Sequence, residues 1–333
     1  MNIDVHAHHI PPTVLERLKK DGASFGVEIA ETAFEGPRLR FGEGLAPIRP
    51  ILNELRDIND RKKRLQESLV DLQILSTWLD IVGYNLPVEK GCQWSRMLNE
   101  CMAEEIRGGN SGASFKGIAS VPLQDGAKAA TELEFAIQEC GLKGETIGTH
   151  INGQNLDAPS LNPFWQTAER LRVPIIIHPF NVLAAERFGK YFLTHQVGLP
   201  AETTLAAASL YFSGAIDRYP DLKIILCHGG GYLPYQAGRL NRGKEIRKDI
   251  QKNTRKMARD VVKWFYYDTI LFDPEILEFL VSEAGPEHVL LGSDCPFTIG
   301  DPHPTRVVEN SKLSVESKDK ILSSNAKRLF KLD

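Results

Sequence analysis

The sequence has few cysteines and few aromatic residues, no long apolar run and no excess of charge of either sign. Its five cysteines are widely spaced and form no CxxC pair, which argues against a disulfide framework or a cysteine-based zinc knuckle. No stretch reaches the roughly 20 consecutive apolar residues of a membrane-spanning helix, and the opening MNIDVHAHHI lacks the pattern of a signal peptide. These absences predict a cytoplasmic protein that does not associate with a membrane.

The charge balance narrows the class of partner. Forty basic and 43 acidic residues give a formal net charge of -3, so no basic field attracts nucleic acid. With 333 residues, 42% of them hydrophobic, the chain is long enough to bury a sizeable core. Small-molecule chemistry is the function class that these numbers favour.

Short apolar runs alternate with amphipathic segments along the chain. One such segment, Gly126–Glu139, carries apolar residues at helical spacing. Near-continuous apolar runs are typical of parallel strands that are covered on both faces. The pattern predicts a (β/α)8 TIM barrel, with a doubly wound open sheet as the alternative. The predicted strands are Ile3–His6, Leu69–Thr77, Phe115–Val121, Gly144–His150, Val173–His178, Leu222–Cys227, Trp264–Thr269 and Val289–Ser293.

No Pro/Gly/Ser-rich linker divides the sequence, so we expect a single domain over residues 1–333. A Gly- and Pro-rich insertion follows the first strand at about residues 22–50, and we expect it to form a small surface hairpin. A second excess, residues 180–219, is mostly helical in pattern and is expected to form a lid or a subunit contact.

Histidine and aspartate stand at the ends of four predicted strands. His6 and His8 are two positions apart on the first strand, and side chains at that spacing point to one face. His178, His228 and Asp294 each follow an apolar run. In a barrel of this kind, the carboxyl ends of the strands surround the active site. His195 lies in a helical context, for which we expect solvent exposure.

Imidazole nitrogens and one carboxylate form a site for a divalent cation. Zinc is the expected ion, with manganese or iron as alternatives. Few protein ligands leave room for substrate, so we expect the ion to be catalytic. A neighbouring histidine that is not a ligand can move protons, and His228 suits that role.

The motifs HAHH, IIIHPFN, LPAETT, LKIILCHGGG and LLGSDCPFTIGDPHP resemble the amidohydrolase superfamily. More narrowly, they resemble its 2-amino-3-carboxymuconate 6-semialdehyde decarboxylase-like branch of metal-dependent decarboxylases. The resemblance implies one divalent metal and His228 as general acid/base, with Asp294 sharing in proton transfer. It implies as metal ligands His6, His8, His178 and Asp294. It also implies a homodimer in which Arg239 reaches the neighbouring subunit's site.

The substrate implied is a small unsaturated or aromatic carboxylic acid of the carboxymuconate semialdehyde or hydroxybenzoate type. An aromatic pocket position of the family resembles Phe192 here, and Trp78 is either a stacking platform or a packing residue. The family's carboxylate-binding arginine of the first loop has Arg49 as its nearest counterpart, and Arg38 and Arg40 compete with it.

Two other functions stay open. The same scaffold supports metal-dependent hydrolysis of a lactone, ester, amide or activated C–C bond. The GETIGTH and VPIIIH strands contain no lysine to bridge two metals, which favours a mononuclear site without excluding hydrolysis. The third alternative is a barrel that binds metal without catalysis, which the acid/base histidine beside the ligands argues against.

Overall fold

A computed structural model describes residues 1–33, 36–108 and 114–332 of the chain. Its strands are, in chain order, β1 (Ile3–His8), β2 (Val27–Ala33), β3 (Gly36–Phe41), β4 (Leu72–Ser76), β5 (Phe115–Gly117), β6 (Glu145–Gly148), β7 (His150–Ile151), β8 (Gln154–Asn155), β9 (Pro174–His178), β10 (Lys223–Leu226), β11 (Tyr266–Asp268) and β12 (Val289–Leu290).

Eight of these strands form a closed parallel barrel. One sheet has the order β1-β4-β5 and another has the order β6-β9-β10-β11-β12. Parallel bridges from Ala119 to Glu145 and from Ala7 to Cys295 join the two sheets on both sides. At the second junction, the Val5 amide also donates to the Leu291 carbonyl at 2.9 Å. The predicted (β/α)8 barrel is therefore confirmed, and the open sheet is excluded.

Helices follow most of the barrel strands. They are α1 (Pro12–Phe25), α2 (Ile58–Glu67), α3 (Val88–Arg107), α4 (Gly126–Gln138), α5 (Asn162–Leu171), α6 (Leu199–Phe212), α7 (Ala215–Arg218), α8 (Leu233–Ile246), α9 (Lys248–Asn253), α10 (Ala258–Val262), α11 (Pro274–Ala284), α12 (Thr305–Glu309), α13 (Val315–Asp319) and α14 (Asn325–Phe330). Aspartates cap α2, α4 and α11, where each carboxylate accepts from two backbone amides of the first turn: Asp57, Asp125 and Asp273. In the part of the chain that the structure describes, no helix is both long and apolar enough to cross a bilayer.

The main core lies between the barrel and the helices. Ile147 of β6 and Ile175 of β9 are fully buried there, together with Leu133 of α4 and Phe164 of α5. The apolar spacing that predicted α4 thus corresponds to its buried face. Burying each of these side chains contributes on the order of 1.5–3 kcal/mol to the stability of the fold. This packing holds the helices in place around the barrel strands.

The insertion after β1 contains the antiparallel pair β2 and β3; positions 34 and 35 lie outside the described residues. It is more than a surface hairpin, because its Val27 and Phe41 are buried in a cluster with Trp94 of α3. The longer loop from β9 to α6 holds the 3-10 turn Ala185–Phe188 and the π-helical turn Thr194–Gly198. Both segments rise at the carboxyl ends of the strands and supply cavity residues, among them Arg49 and His195.

Candidate metal centre and substrate cavity

Four predicted site residues meet inside the mouth of the barrel. His6 and His8 lie at the end of β1, His178 ends β9, and Asp294 follows β12. All four are buried, and one nitrogen or oxygen atom from each lies within 4.8 Å of the corresponding atoms of the others. Because parallel strands align their carboxyl ends at one rim, residues far apart in sequence converge at this point.

The orientation of His6 is fixed by Asp268, the last residue of β11. His6 Nδ1 lies 2.7 Å from Asp268 Oδ2, and both side chains are buried. The other oxygen, Oδ1, accepts from the amides of Gly229 at 2.9 Å and Ile270 at 3.2 Å. Burial acts to raise the pKa of Asp268, but the hydrogen bond from His6, the nearby His6 and His228 rings and the Gly229 amide together outweigh burial and lower it. An ionised carboxylate only accepts, so Nδ1 of His6 donates to it and Nε2 is the nitrogen that faces the other members of the cluster.

The same arrangement recurs at His8 with a different partner. Ser76 Oγ donates to the Ala7 carbonyl at 3.0 Å, so it accepts from His8 Nδ1 at 3.1 Å. Nε2 of His8 therefore keeps a lone pair, and it lies only 3.2 Å from Nε2 of His6. Two ring nitrogens at this distance can bind one cation between them, since zinc–nitrogen bonds are about 2.0–2.1 Å long.

The other two members of the cluster complete a donor set. Both ring nitrogens of His178 and Oδ1 of Asp294 are buried without a hydrogen-bond partner among the described residues. Burial, reinforced by the nearby imidazoles, lowers the pKa of His178 well below its usual value, so the ring is neutral. Burial acts to raise the pKa of Asp294, but the adjacent His228, His6 and His8 rings hold it well below the usual range. Three imidazoles and one carboxylate fit a divalent cation.

His228 stands beside this cluster, and its Nε2 lies 3.7 Å from Asp294 Oδ2. Its Nδ1 has no hydrogen-bond partner among the residues that the structure describes. His228 and Asp294 both have left-handed backbones, with φ of 56° and 59°. Such conformations cost on the order of 1–3 kcal/mol each and are concentrated at functional sites. The hydrogen bond from the Gly229 amide to Asp268 ties the His228 turn to the residue that orients His6.

A cavity of about 1240 Å³ opens from the cluster toward solvent. His178, His228 and Asp294 line its inner end, and apolar side chains form most of its walls. Its aromatic lining residues are Phe41, Trp78, Tyr84, Phe180, Phe192, Tyr232, Phe272 and Phe297. A cavity of this size with convergent polar groups at one end suits a small planar ligand.

The model of the amidohydrolase family matches residues 3–332. The chain belongs to the amidohydrolase family. Among its relatives, the 2-amino-3-carboxymuconate-6-semialdehyde decarboxylase of Dictyostelium discoideum is 32% identical over 335 residues, an alignment that covers 100% of this chain and 92% of that protein.

Solved structures agree with this assignment. The 5-carboxyvanillate decarboxylase of Sphingomonas paucimobilis has the same fold, with a TM-score of 0.83 at 22% identity and coverage of 100% of this chain and 99% of that chain. The dihydroxybenzoic acid decarboxylase of Polaromonas sp. JS666, with bound manganese and the inhibitor 2-nitroresorcinol, has a TM-score of 0.80 at 26% identity, covering 99% and 97% of the two chains. The predicted family and its decarboxylase branch are confirmed.

Three of the residues predicted to bind substrate line the cavity of this amidohydrolase: Arg49, Trp78 and Phe192. Trp78 is 3% exposed, so it packs into the protein while one side contributes to the cavity wall. Among the first-loop arginines, Arg40 does not line the cavity and is paired with Glu28. Arg239 is exposed on α8 and lies outside the cavity of its own chain.

Three site residues were missed or misplaced from the sequence. The expected solvent exposure of His195 is wrong: the ring is half-buried, lines the cavity and stacks on Phe192 with centroids 4.0 Å apart. The sequence could have identified Asp268 as a site residue, because it ends an apolar strand as His178 does. The sequence gives no such indication for Asp80, because its contact with Arg49 joins two loops 31 positions apart.

Proposed function

We propose that this amidohydrolase is a metal-dependent, non-oxidative decarboxylase of a small planar carboxylic acid of the hydroxybenzoate or carboxymuconate semialdehyde type. The observation that carries the proposal is the three-histidine, one-aspartate donor set at the inner end of a largely aromatic and apolar cavity. The decarboxylase activities named for the Dictyostelium and Polaromonas relatives support it.

His6, His8, His178 and Asp294 are the residues that we propose as metal ligands, because their donor atoms converge and lack other partners. When bound, a divalent cation supplies positive charge that holds substrate oxygens and stabilises developing negative charge. Zinc is the ion that we propose, since imidazole and carboxylate suit it; manganese, which the Polaromonas relative holds, is the alternative.

His228 and Asp294 handle the proton in this proposal. Decarboxylation replaces a C–C bond with a C–H bond: a proton adds to the carbon that carries the carboxylate, and the C–C electron pair remains on the organic product as CO2 leaves. His228 lines the cavity, and its Nε2 lies 3.7 Å from Asp294 Oδ2, so a small side-chain movement or one bridging water connects the two groups for a proton relay. The left-handed backbones of both residues support a catalytic role.

We also propose that Arg239 binds the leaving carboxylate in the site of a second copy of the chain, in a homodimer. Arg239 is exposed on α8, makes no ion pair within the described part of the chain and does not reach its own cavity. Phe192 and Trp78 are proposed to contact the substrate ring, and Arg49 its far edge. A cytoplasmic location remains a prediction.

The test is CO2 release from the metal-loaded protein, measured across hydroxybenzoates and carboxymuconate semialdehydes beside a chelated sample. We expect metal-dependent CO2 from at least one acid. No CO2 from a folded, metal-loaded protein, together with hydrolysis of a lactone, would replace decarboxylation by hydrolysis at the same site.

Two variants separate metal binding from catalysis. His178→Ala removes a proposed ligand, so we expect metal content and activity to fall together. His228→Ala leaves the ligand set intact, so it should retain metal while losing activity by at least about a hundredfold, as expected for loss of a general acid or base. Retained activity in His228→Ala would remove this residue from the mechanism.

A further inference from the structure

The substrate cavity has an aromatic wall, formed by Phe297 and Trp78, that runs outward from the metal cluster. The rings of His8 and Phe297 have centroids 5.3 Å apart, and those of Phe297 and Trp78 are 6.1 Å apart. The guanidinium of Arg49 lies 4.8 Å from the centroid of Trp78. A planar substrate that packs on this wall with its leaving carboxylate at the metal directs its opposite edge toward Arg49.

Arg49, whose side chain is 55% exposed, is paired with a carboxylate at that edge. Its Nε donates to Asp80 Oδ2 at 2.8 Å, and its Nη2 donates to Asp80 Oδ1 at 3.3 Å. Asp80 lies on the short turn that follows Trp78, so the aromatic wall and the ion pair are held by one segment. A ligand at this edge therefore meets a paired donor and acceptor rather than a free positive charge.

Within one chain, no other fixed cation of the described cavity lining compensates for this pairing, and the Arg239 proposed from a second copy is assigned to the leaving carboxylate. Among the described residues that line the cavity, Arg49 is the single arginine or lysine. A second carboxylate at the far edge would have to displace Asp80 from Arg49 or lie next to its negative charge. Like charges at such a distance repel, whereas a hydroxyl or amino group can hydrogen-bond to both members of the pair.

His195 gives a second, independent indication. Its ring lines the cavity, and its Nδ1 is enclosed without a hydrogen-bond partner among the described residues. Burial and the nearby Arg49 charge lower the pKa of His195, so the ring is neutral near pH 7. A neutral imidazole nitrogen exchanges a hydrogen bond with a hydroxyl or amino group but adds no charge for a carboxylate.

We propose that the substrate is a planar monocarboxylate that carries a neutral hydroxyl or amino group at the edge opposite its leaving carboxylate, recognised by the Arg49–Asp80 pair and His195. This inference rests on the proposed decarboxylation, which places the leaving carboxylate at the metal. It makes Asp80 a specificity residue that acts against a second carboxylate, and it selects the hydroxybenzoate type within the proposed function, because a carboxymuconate semialdehyde carries two carboxylates.

The experiment compares two acids that differ only at the far edge: 2,4-dihydroxybenzoate, with a hydroxyl there, and 2-hydroxyterephthalate, with a carboxylate. We expect kcat/KM to favour the hydroxyl acid by about tenfold or more, the effect of one unfavourable charge contact of about 1.4 kcal/mol. Asp80→Asn removes the negative charge and frees Arg49, so it should reduce this preference by about tenfold.

Arg239→Ala is the matched control, because it should weaken both acids by the same factor and leave their ratio unchanged. Metal content and thermal unfolding of Asp80→Asn should equal those of the wild type. A wild-type preference for the dicarboxylate, or an unchanged ratio in Asp80→Asn, would overturn the inference.

Binding separates this inference from the proposed activity. Calorimetric dissociation constants of 5-amino-2-nitrophenol and 3-hydroxy-4-nitrobenzoate, in which a nitro group replaces the leaving carboxylate and the far edge carries a neutral amino group or a carboxylate, should show the same preference and the same response to Asp80→Asn. If these ligands discriminate while no acid releases CO2, decarboxylation fails and the recognition of a neutral edge stands. If CO2 forms but neither assay discriminates, the recognition fails alone.

Discussion

Replacement of Asp268 by asparagine should damage the metal centre more than complete removal of the side chain. In the wild type, Asp268 Oδ1 accepts from two backbone amides and Oδ2 accepts from His6 Nδ1. In Asp268→Asn, the single carbonyl oxygen must stay with the two amides, so the NH2 group faces His6. Two donors cannot pair, and His6 moves its proton to Nε2, the nitrogen that faces the other ligands.

The size of the effect follows from this geometry. Loss of the group that orients a histidine ligand weakens metal binding about 10–100-fold, which corresponds to about 1.4–2.7 kcal/mol. Asp268→Asn should weaken metal binding by close to 100-fold, the upper end of this range, because it favours the wrong tautomer of His6. Asp268→Ala allows either tautomer of His6 and should weaken metal binding by close to 10-fold, the lower end. It leaves two buried amides unpaired, however, so it should lose more unfolding free energy, about 1–3 kcal/mol per amide.

The assay is calorimetric zinc titration of the metal-free variants, with urea unfolding of the same samples. Asp273→Asn is the control, since asparagine also caps helices and this residue lies at the start of α11, so we expect wild-type affinity. Wild-type zinc affinity in Asp268→Asn, or weaker binding in Asp268→Ala than in Asp268→Asn, would show that the tautomer argument is incorrect.

Three further outcomes are expected. Burial raises the pKa of Glu145 well above its usual value, so the folded state keeps a proton that the unfolded state loses as pH rises past about 4.3. The wild type should lose up to about 1.4 kcal/mol of stability per pH unit from this residue, and Glu145→Gln should lack that slope in urea unfolding between pH 5 and 8. Mixed Arg239→Ala and His228→Ala subunits should regain about one quarter of wild-type activity in a symmetric dimer with shared sites; no recovery despite subunit exchange contradicts sharing. Trp78→Leu should raise KM at unchanged metal content.

The barrel and the metal cluster were predictable because both depend on local pattern. An apolar run followed by a polar turn marks a buried strand, and parallel strands bring their last residues to one rim, so His178 and Asp294 could be placed together without coordinates. His6 and His8 needed only the alternation of side chains along β1.

The outer cavity was less predictable because loops form it. The Arg49–Asp80 pair joins the insertion to the loop after β4, and its formation depends on how the hairpin packs against α3. His195 was expected in solvent, but it follows two residues with left-handed backbones, Tyr191 and Phe192, and its ring stacks on Phe192 and lines the cavity. Neither effect has a local sequence signature.

The junction that closes the barrel also sets the order in which the metal site can form during synthesis. It joins β1, which carries two of the proposed ligands, to the residues after β12, so that Asp4 and Ser293 hydrogen-bond across 289 positions. At about 5–20 residues per second, Asp294 leaves the ribosome roughly 15–60 s after His6 and His8. The ligand set of the two histidines is therefore incomplete until nearly the whole chain has been synthesised. A tightly held ion can be acquired only after the barrel is complete.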